Sequence, residues 1–170
     1  FLVDLPEGMY TVQLTLGDAS FARDRVAIYV QGALADTIDT RASEFAERTF
    51  EAEVNEASNG QLAIRLEDQG GETSRAVINA LAIIPANGAE PLWFDFGAAG
   101  SPVQPGYTAV TESDTYSAEL GYGWQPGSDV VGRDRGELDI RLHTNFGLSQ
   151  DGEFLAVVRS RRPVFSSTSS

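Results

Sequence analysis

Strand patterns dominate this chain from its first residues to about position 158. In Met9-Tyr10-Thr11-Val12-Gln13-Leu14-Thr15-Leu16, apolar Tyr10, Val12, Leu14 and Leu16 alternate with polar Thr11, Gln13 and Thr15. A period of two puts one set on each face of a half-buried strand. Val26–Val30 is a short apolar run, separated by Gly32 from Ala33–Ile38. Thr49–Val54 and Gln61–Leu66 flank Asn59-Gly60, a dipeptide favoured where two successive turn residues need positive φ; the pattern predicts a hairpin. Ala76–Ile84 is rich in β-branched and aliphatic residues and predicts a further strand. Helical periodicity is thin, with room for a turn or two only over Thr40–Arg48. Many short strands punctuated by Gly and Pro predict an all-β, antiparallel sandwich of jelly-roll type.

The best connector is Pro85-Ala86-Asn87-Gly88-Ala89-Glu90-Pro91, two prolines bracketing an Asn-Gly turn. It divides a back half, 1–84, from a front half, 92–158. The front half opens on Leu92-Trp93-Phe94-Asp95-Phe96-Gly97, runs through a glycine-rich aromatic stretch to Gly136, and ends in strands over Leu138–His143 and Phe154–Val158. Phe94 and Phe96 are expected to face inward. Asp95 is expected to face outward or to meet a partner such as an arginine, and Trp93 to lie on the face opposite the phenylalanines, under the connector. Asn79, inside an apolar strand, reads as a hydrogen-bonded buried amide in preference to a loop-facing contact. Residues 159–170 form a polar tail or the start of another segment. The 170 residues and a hydrophobic fraction of 42% suit one domain with a substantial core. Phe1-Leu2-Val3-Asp4-Leu5 already reads as folded strand, so the expectation is a fragment or an excised domain.

A formal net charge of -13 opposes binding to nucleic-acid backbones or anionic membranes, and no apolar run approaches the roughly 20 residues of a membrane span. All twelve basic residues are Arg, and there is no Cys, which removes disulfides, thiolate nucleophiles and Cys-ligated zinc. An acidic chain without Lys or Cys is compatible with an extracellular setting, secreted or at the cell surface.

Several segments carry a resemblance. Three are Phe94-Asp95-Phe96-Gly97, then Gly106-Tyr107-Thr108 through Tyr116-Ser117 to Gly121-Tyr122-Gly123-Trp124, then Arg133-Asp134-Arg135-Gly136. Three more are Val3-Asp4-Leu5-Pro6-Glu7-Gly8-Met9-Tyr10, then Leu16-Gly17-Asp18-Ala19 with Ala22-Arg23-Asp24, then Val77-Ile78-Asn79-Ala80-Leu81. Together they resemble the galactose-binding-like β-sandwich attached to bacterial rhamnogalacturonan-acetylesterase-type esterases and agarases. In such a module the first group precedes the second; here the order is reversed. Asp151-Gly152-Glu153-Phe154-Leu155 also resembles what should precede Val3. Two explanations stand: a cut through tandem repeats, or one domain in permuted order. Either way the halves are expected to close into one sandwich over 1–158. The resemblance implies a non-catalytic carbohydrate-binding module that targets an attached enzyme or surface protein to plant or algal polysaccharide, with covalently attached neighbouring domains.

The candidate chemistry is of three kinds. Tyr107, Tyr116, Tyr122 and Trp124 stand among glycines, and Arg133 and Arg135 follow. Aromatic rings stack on the apolar faces of sugars, and planar donors meet their hydroxyls. The competing reading has Tyr122 and Trp124 plugging the core and Arg135 tying down a loop. Asp129, Asp134, Glu137 and Asp139 crowd one segment; oxygen ligands suit Ca2+, and sandwiches of the family resembled often hold a structural calcium. The alternative is that these acids pair with Arg133, Arg135 and Arg141. Gly17-Asp18-Ala19-Ser20 superficially resembles an esterase nucleophile block, but Ser20 stands two residues after Asp18, and His143 is the single histidine available as a base. The sequence therefore predicts no enzyme. Two other functions compete with the binding module: a structural or adhesive repeat of a large extracellular protein without a tight ligand, and a cryptic glycosidase or lyase using paired carboxylates.

Overall fold

The computed structural model describes residues 1–132 together with the backbone of 145–148 and 154–157. It divides into two compact units, Phe1–Asp134 and Arg135–Ser170. The first unit contains the back half, the connector and the front half as far as the described residues run. In the second unit, β11 (Asn145–Leu148) and β12 (Phe154–Val157) pair antiparallel, with Asn145 opposite Val157 and Leu148 opposite Phe154. The predicted strand over Leu138–His143 and the tail lie outside the described residues.

The first unit is an all-β sandwich of two five-stranded sheets. Its strands are β1 (Leu2–Asp4), β2 (Gly8–Gly17), β3 (Arg23–Val30), β4 (Ala33–Thr40), β5 (Phe45–Val54), β6 (Gln61–Asp68), β7 (Ile78–Pro85), β8 (Leu92–Phe96), β9 (Thr108–Val110) and β10 (Tyr122–Gly123). One sheet runs β10-β1-β6-β3-β4 and the other β5-β2-β7-β8-β9. The strand pairing is antiparallel, as expected, apart from β9, which runs parallel to β8. Both halves of the chain contribute to both sheets: β1 of the back half pairs with β10 of the front, and β7 with β8. The connector 85–91 is thus the turn between two neighbouring antiparallel strands.

Strand alternation builds the core. Tyr10, Val12, Leu14 and Leu16 of β2, with Leu81, Ile83 and Phe94 of its neighbours, face Val3, Val26, Ile28, Leu62 and Ile64 of the opposite sheet in one buried cluster. Burying a side chain of this size is worth about 1.5–3 kcal/mol. At one corner Gln31 donates through Nε2 to the carbonyls of Glu53 (2.9 Å) and Gln61 (3.0 Å) and accepts from the amide of Ala63 (3.0 Å), bridging the two sheets.

Two local expectations are overturned. Thr49–Val54 and Gln61–Leu66 do not form a hairpin: β5 pairs along its length with β2, and β6 with β1 and β3 in the other sheet. Asn59 and Gly60 do adopt positive φ, 55° and 67°, but they close a 3-10 turn over Glu56–Ser58 that carries the chain from sheet to sheet. Asn55 caps that turn by accepting from the Ser58 amide at 3.2 Å, while the Ser58 hydroxyl accepts from the Asn55 amide at 3.0 Å. The stretch 40–48 is not helical. β4 ends at Thr40, a tight turn follows in which Ser43 takes φ 65°, and β5 begins at Phe45 because Phe45–Arg48 pair with Gly17–Leu14.

The block that resembles a nucleophile loop is structural. Asp18, 2% exposed, pairs with Arg23, 8% exposed, and its Oδ1 accepts from the amides of Ser20 (2.8 Å) and Phe21 (3.2 Å). Ser20 itself is exposed. Removing one member of a buried pair strands the other, so Asp18→Ala is expected to destabilise the protein by about 3–5 kcal/mol in chemical denaturation.

Asp24 clips the loop after β6 to β3. It accepts from the Thr73 hydroxyl, from the Glu72 amide (2.8 Å) and from the Thr73 amide (3.0 Å), and these bonds lower its pKa to about 2. Gly71, at φ 135°, passes so close that a Cβ there would lie 2.0 Å from Asp24 Oδ2. A depressed carboxylate contributes stability that is complete above its unfolded pKa of 3.8 and lost as pH falls through about 2. Acid titration of unfolding should therefore lose part of its slope between pH 4 and 2 in Asp24→Asn; an unchanged slope would contradict the clip.

Candidate functional site

The aromatic residues around β8 fall into two groups on opposite sides of that strand. On its inner side, Phe1 is the hub. Its ring meets Phe94 (5.6 Å between centroids), Phe96 (5.0 Å) and Trp124 (5.2 Å) edge-on, and Tyr122 at 6.3 Å. Tyr122 and Trp124 therefore pack against the core, each half-buried. Trp124 Nε1 donates to the Thr111 carbonyl at 2.8 Å, which satisfies the indole and pins the loop before β10. Gly123 between them, at φ 142°, abuts the backbone of 114–116 closely enough that a Cβ would lie 2.5 Å from the Tyr116 nitrogen. Tyr116 stands at the rim, its hydroxyl shared between Asp4 Oδ1 (2.9 Å) and Oδ2 (3.1 Å), a bond to a carboxylate that raises its pKa.

On the outer side, β8 presents Trp93 and Asp95, and Tyr107 leads into β9. Trp93 and Tyr107 lie 5.5 Å apart, their planes tilted by 45°. The registers set the rest of this face. One row across the sheet reads Glu47, Thr15, Ala80, Asp95; the next reads Thr49, Gln13, Ala82, Trp93. Alanines at the centre leave room above the sheet for the large rings from β8 and the β9 entry. Thr15 (3% exposed), Ala82 (3%) and Asp95 (6%) are buried although they face away from the core. Asp95 accepts from the Gln104 amide at 2.8 Å, so the loop between β8 and β9 folds over the sheet. Burial first, then the negative charges of Asp95 and Glu47, push the Tyr107 phenol well above its ordinary pKa. It is a neutral donor and acceptor at physiological pH. The Tyr107 hydroxyl and Gln13 Oε1 are both buried without a hydrogen-bond partner, a condition that native proteins rarely leave unanswered by water or ligand.

Tyr122 and Trp124 are thus brought together with the core, Tyr116 sits beside them on Asp4, and Tyr107 stands apart with Trp93. Arg133 and Arg135 lie outside the described residues, as do Asp134, Glu137, Asp139, Arg141 and His143. Asp129 is exposed, and among the described residues no three acidic or histidine side chains converge as a metal site. Phe94 and Phe96 face inward, and Trp93 and Asp95 lie on the opposite face, as expected; Asp95 is buried there and receives a backbone amide, and Trp93 packs against Tyr107. Asn79 corrects its expectation: it sits at the register shift between β2 and β7, and its Oδ1 has no hydrogen-bond partner. Asp95, Gln13 and Glu47 were not candidates on sequence. The available signal was a tryptophan and an aspartate sharing the non-core face of one strand.

No protein-family model matches the chain, and no match is found among the curated proteins. Among solved structures, the YxiM protein of Bacillus subtilis aligns with 66% of this chain and 28% of its own length, at 24% identity and a TM-score of 0.39.

If the Trp124 ring is a structural plug, Trp124→Ala should cost about 3 kcal/mol, the lower end for so large a truncation because the ring is half-buried. Urea denaturation measures this; a loss below about 0.5 kcal/mol, typical of a surface site, would contradict it.

Proposed function

We propose that this chain is a non-catalytic glycan-binding module, secreted or displayed at the cell surface, that holds attached domains against plant or algal polysaccharide. The observation that carries this reading is the outer face of the β5-β2-β7-β8-β9 sheet. There an aromatic pair, Trp93 and Tyr107, shares the face with Gln13 of β2, and the Tyr107 hydroxyl and Gln13 Oε1 are buried without a hydrogen-bond partner. A sugar ring offers both halves of the complement, a C–H face for the rings and hydroxyls for the polar atoms. The binding residues in this reading are Trp93, Tyr107 and Gln13. Of the aromatic residues that the sequence offers as a platform, Tyr107 lies on this face.

A second reading, a structural or adhesive repeat without a tight ligand, is favoured by one observation: Tyr122 and Trp124 turn their rings to the core.

Affinity electrophoresis against agarose, xylan and pectin separates the two. The expected result is retardation on at least one gel, lost in Trp93→Ala and kept in Tyr116→Phe. A well-folded protein that migrates unretarded through all three would favour the spacer.

A further inference from the structure

We infer that Asn87, in the connector between β7 and β8, is a site of spontaneous covalent modification. In the folded protein its carboxamide is converted to aspartate and isoaspartate, with release of ammonia, well ahead of the other Asn-Gly dipeptide, Asn59-Gly60. This chemistry is independent of the glycan-binding reading. Glycine after asparagine leaves the next backbone nitrogen unhindered by a side chain, so that nitrogen can reach the carboxamide. The Gly88 nitrogen gives its proton to hydroxide and attacks Asn87 Cγ. As the N–Cγ bond forms, the Cγ–Nδ2 bond breaks, and Nδ2 leaves as ammonia with a proton taken from water. Water then opens the cyclic imide at either carbonyl. Breaking the new N–Cγ bond gives aspartate; breaking the original peptide bond gives isoaspartate, whose main chain runs through Cβ and Cγ. The sum is asparagine and water going to a carboxylic acid and ammonia.

Two features of the fold separate the dipeptides. In the connector the Ala89 amide donates to Asn87 Oδ1 at 3.0 Å. That bond makes the carboxamide carbon more electrophilic and stabilises the oxyanion that develops on Oδ1 during attack. The second feature is freedom to rotate, which the Asn–Gly peptide unit needs for ring closure. At Asn87 the rotation breaks the turn bond from the Gly88 amide to the Pro85 carbonyl, 3.2 Å long, where both Asn87 and Gly88 are exposed. At Asn59 it breaks a bond of equal length, from the Gly60 amide to the Asn55 carbonyl. It also pulls the half-buried Gly60 away from the Leu5 amide, which donates to the Gly60 carbonyl at 2.9 Å and ties the 3-10 turn to the end of β1. Asn59 is further held at φ 55° by its own amide, which donates to Glu56 at 3.0 Å. One dipeptide is an activated, open turn and the other a locked cap. An isoaspartate at position 87 lengthens the connector and adds a carboxylate beside the Ile83–Leu92 pair, the end of the β7–β8 ladder.

Peptide mapping by mass spectrometry, with isoaspartyl methyltransferase labelling, follows the full chain during incubation in neutral and mildly alkaline buffer. Asn87 should convert at least tenfold faster than Asn59, and faster at the higher pH because the Gly88 nitrogen must lose its proton. In concentrated urea, where both dipeptides lose their local bonds, the two rates should converge. Ala89→Pro removes the donating amide and should slow conversion at Asn87 severalfold; the urea comparison decides the matter should that variant fail to fold. Equal rates at Asn59 and Asn87 in the folded protein would overturn the inference. So would a rate ratio that persists in urea, or an Asn87 rate indifferent to a folded Ala89→Pro.

Discussion

β2 is hydrogen-bonded along both edges, to β5 over ten residue pairs and to β7 over seven, and its side chains alternate without a break from Tyr10 to Leu16. That strand constrains the rest of the first unit. Its apolar side sets the plane on which the opposite sheet packs. Its polar side, Thr11, Gln13 and Thr15, is forced to the outside of the sandwich by the same periodicity. A one-residue slip would exchange the two sets, so register here is held by the full burial energy of the core face.

The polar side of β2 becomes distinctive through what the neighbouring strands add. β7 contributes alanines, which keep the surface low, and β8 contributes Trp93 and Asp95. The loop from β8 to β9 then folds back, ties its Gln104 amide to Asp95 and brings Tyr107 against Trp93. A sheet face that would ordinarily be solvated thereby buries Thr15 and Asp95 and leaves the Gln13 amide oxygen and the Tyr107 hydroxyl without partners. Such atoms cost free energy unless something answers them, and that cost is the physical argument behind the proposed ligand.

The other aromatic group has the opposite character. Phe1 gathers Phe94, Phe96, Tyr122 and Trp124 at the place where β10 pairs with β1, joining the two halves of the chain. The indole finds a backbone carbonyl, and the rings find one another. Glycines in that stretch serve close backbone approach, as at Gly123. Tyrosine, tryptophan and glycine in one segment thus describe a plug as readily as a platform.

The all-β class, most strand positions, the inward phenylalanines and the positive φ at Asn59-Gly60 were legible in the sequence, because alternation and backbone torsion are properties of a few consecutive residues. Which strand pairs with which was not. Thr49–Val54 and Gln61–Leu66 look like two arms of a hairpin, yet they belong to different sheets, since a turn dipeptide specifies local torsions and says nothing of the partner strand. The same limit applies to the candidate site. Trp93 and Asp95 were legible as residues off the core face, but Gln13 and Glu47 come from two other stretches of chain and carry no motif of their own. Only the lateral order β5-β2-β7-β8 brings them onto one face, because neighbours across a sheet are set by long-range hydrogen-bond registers that no local pattern encodes.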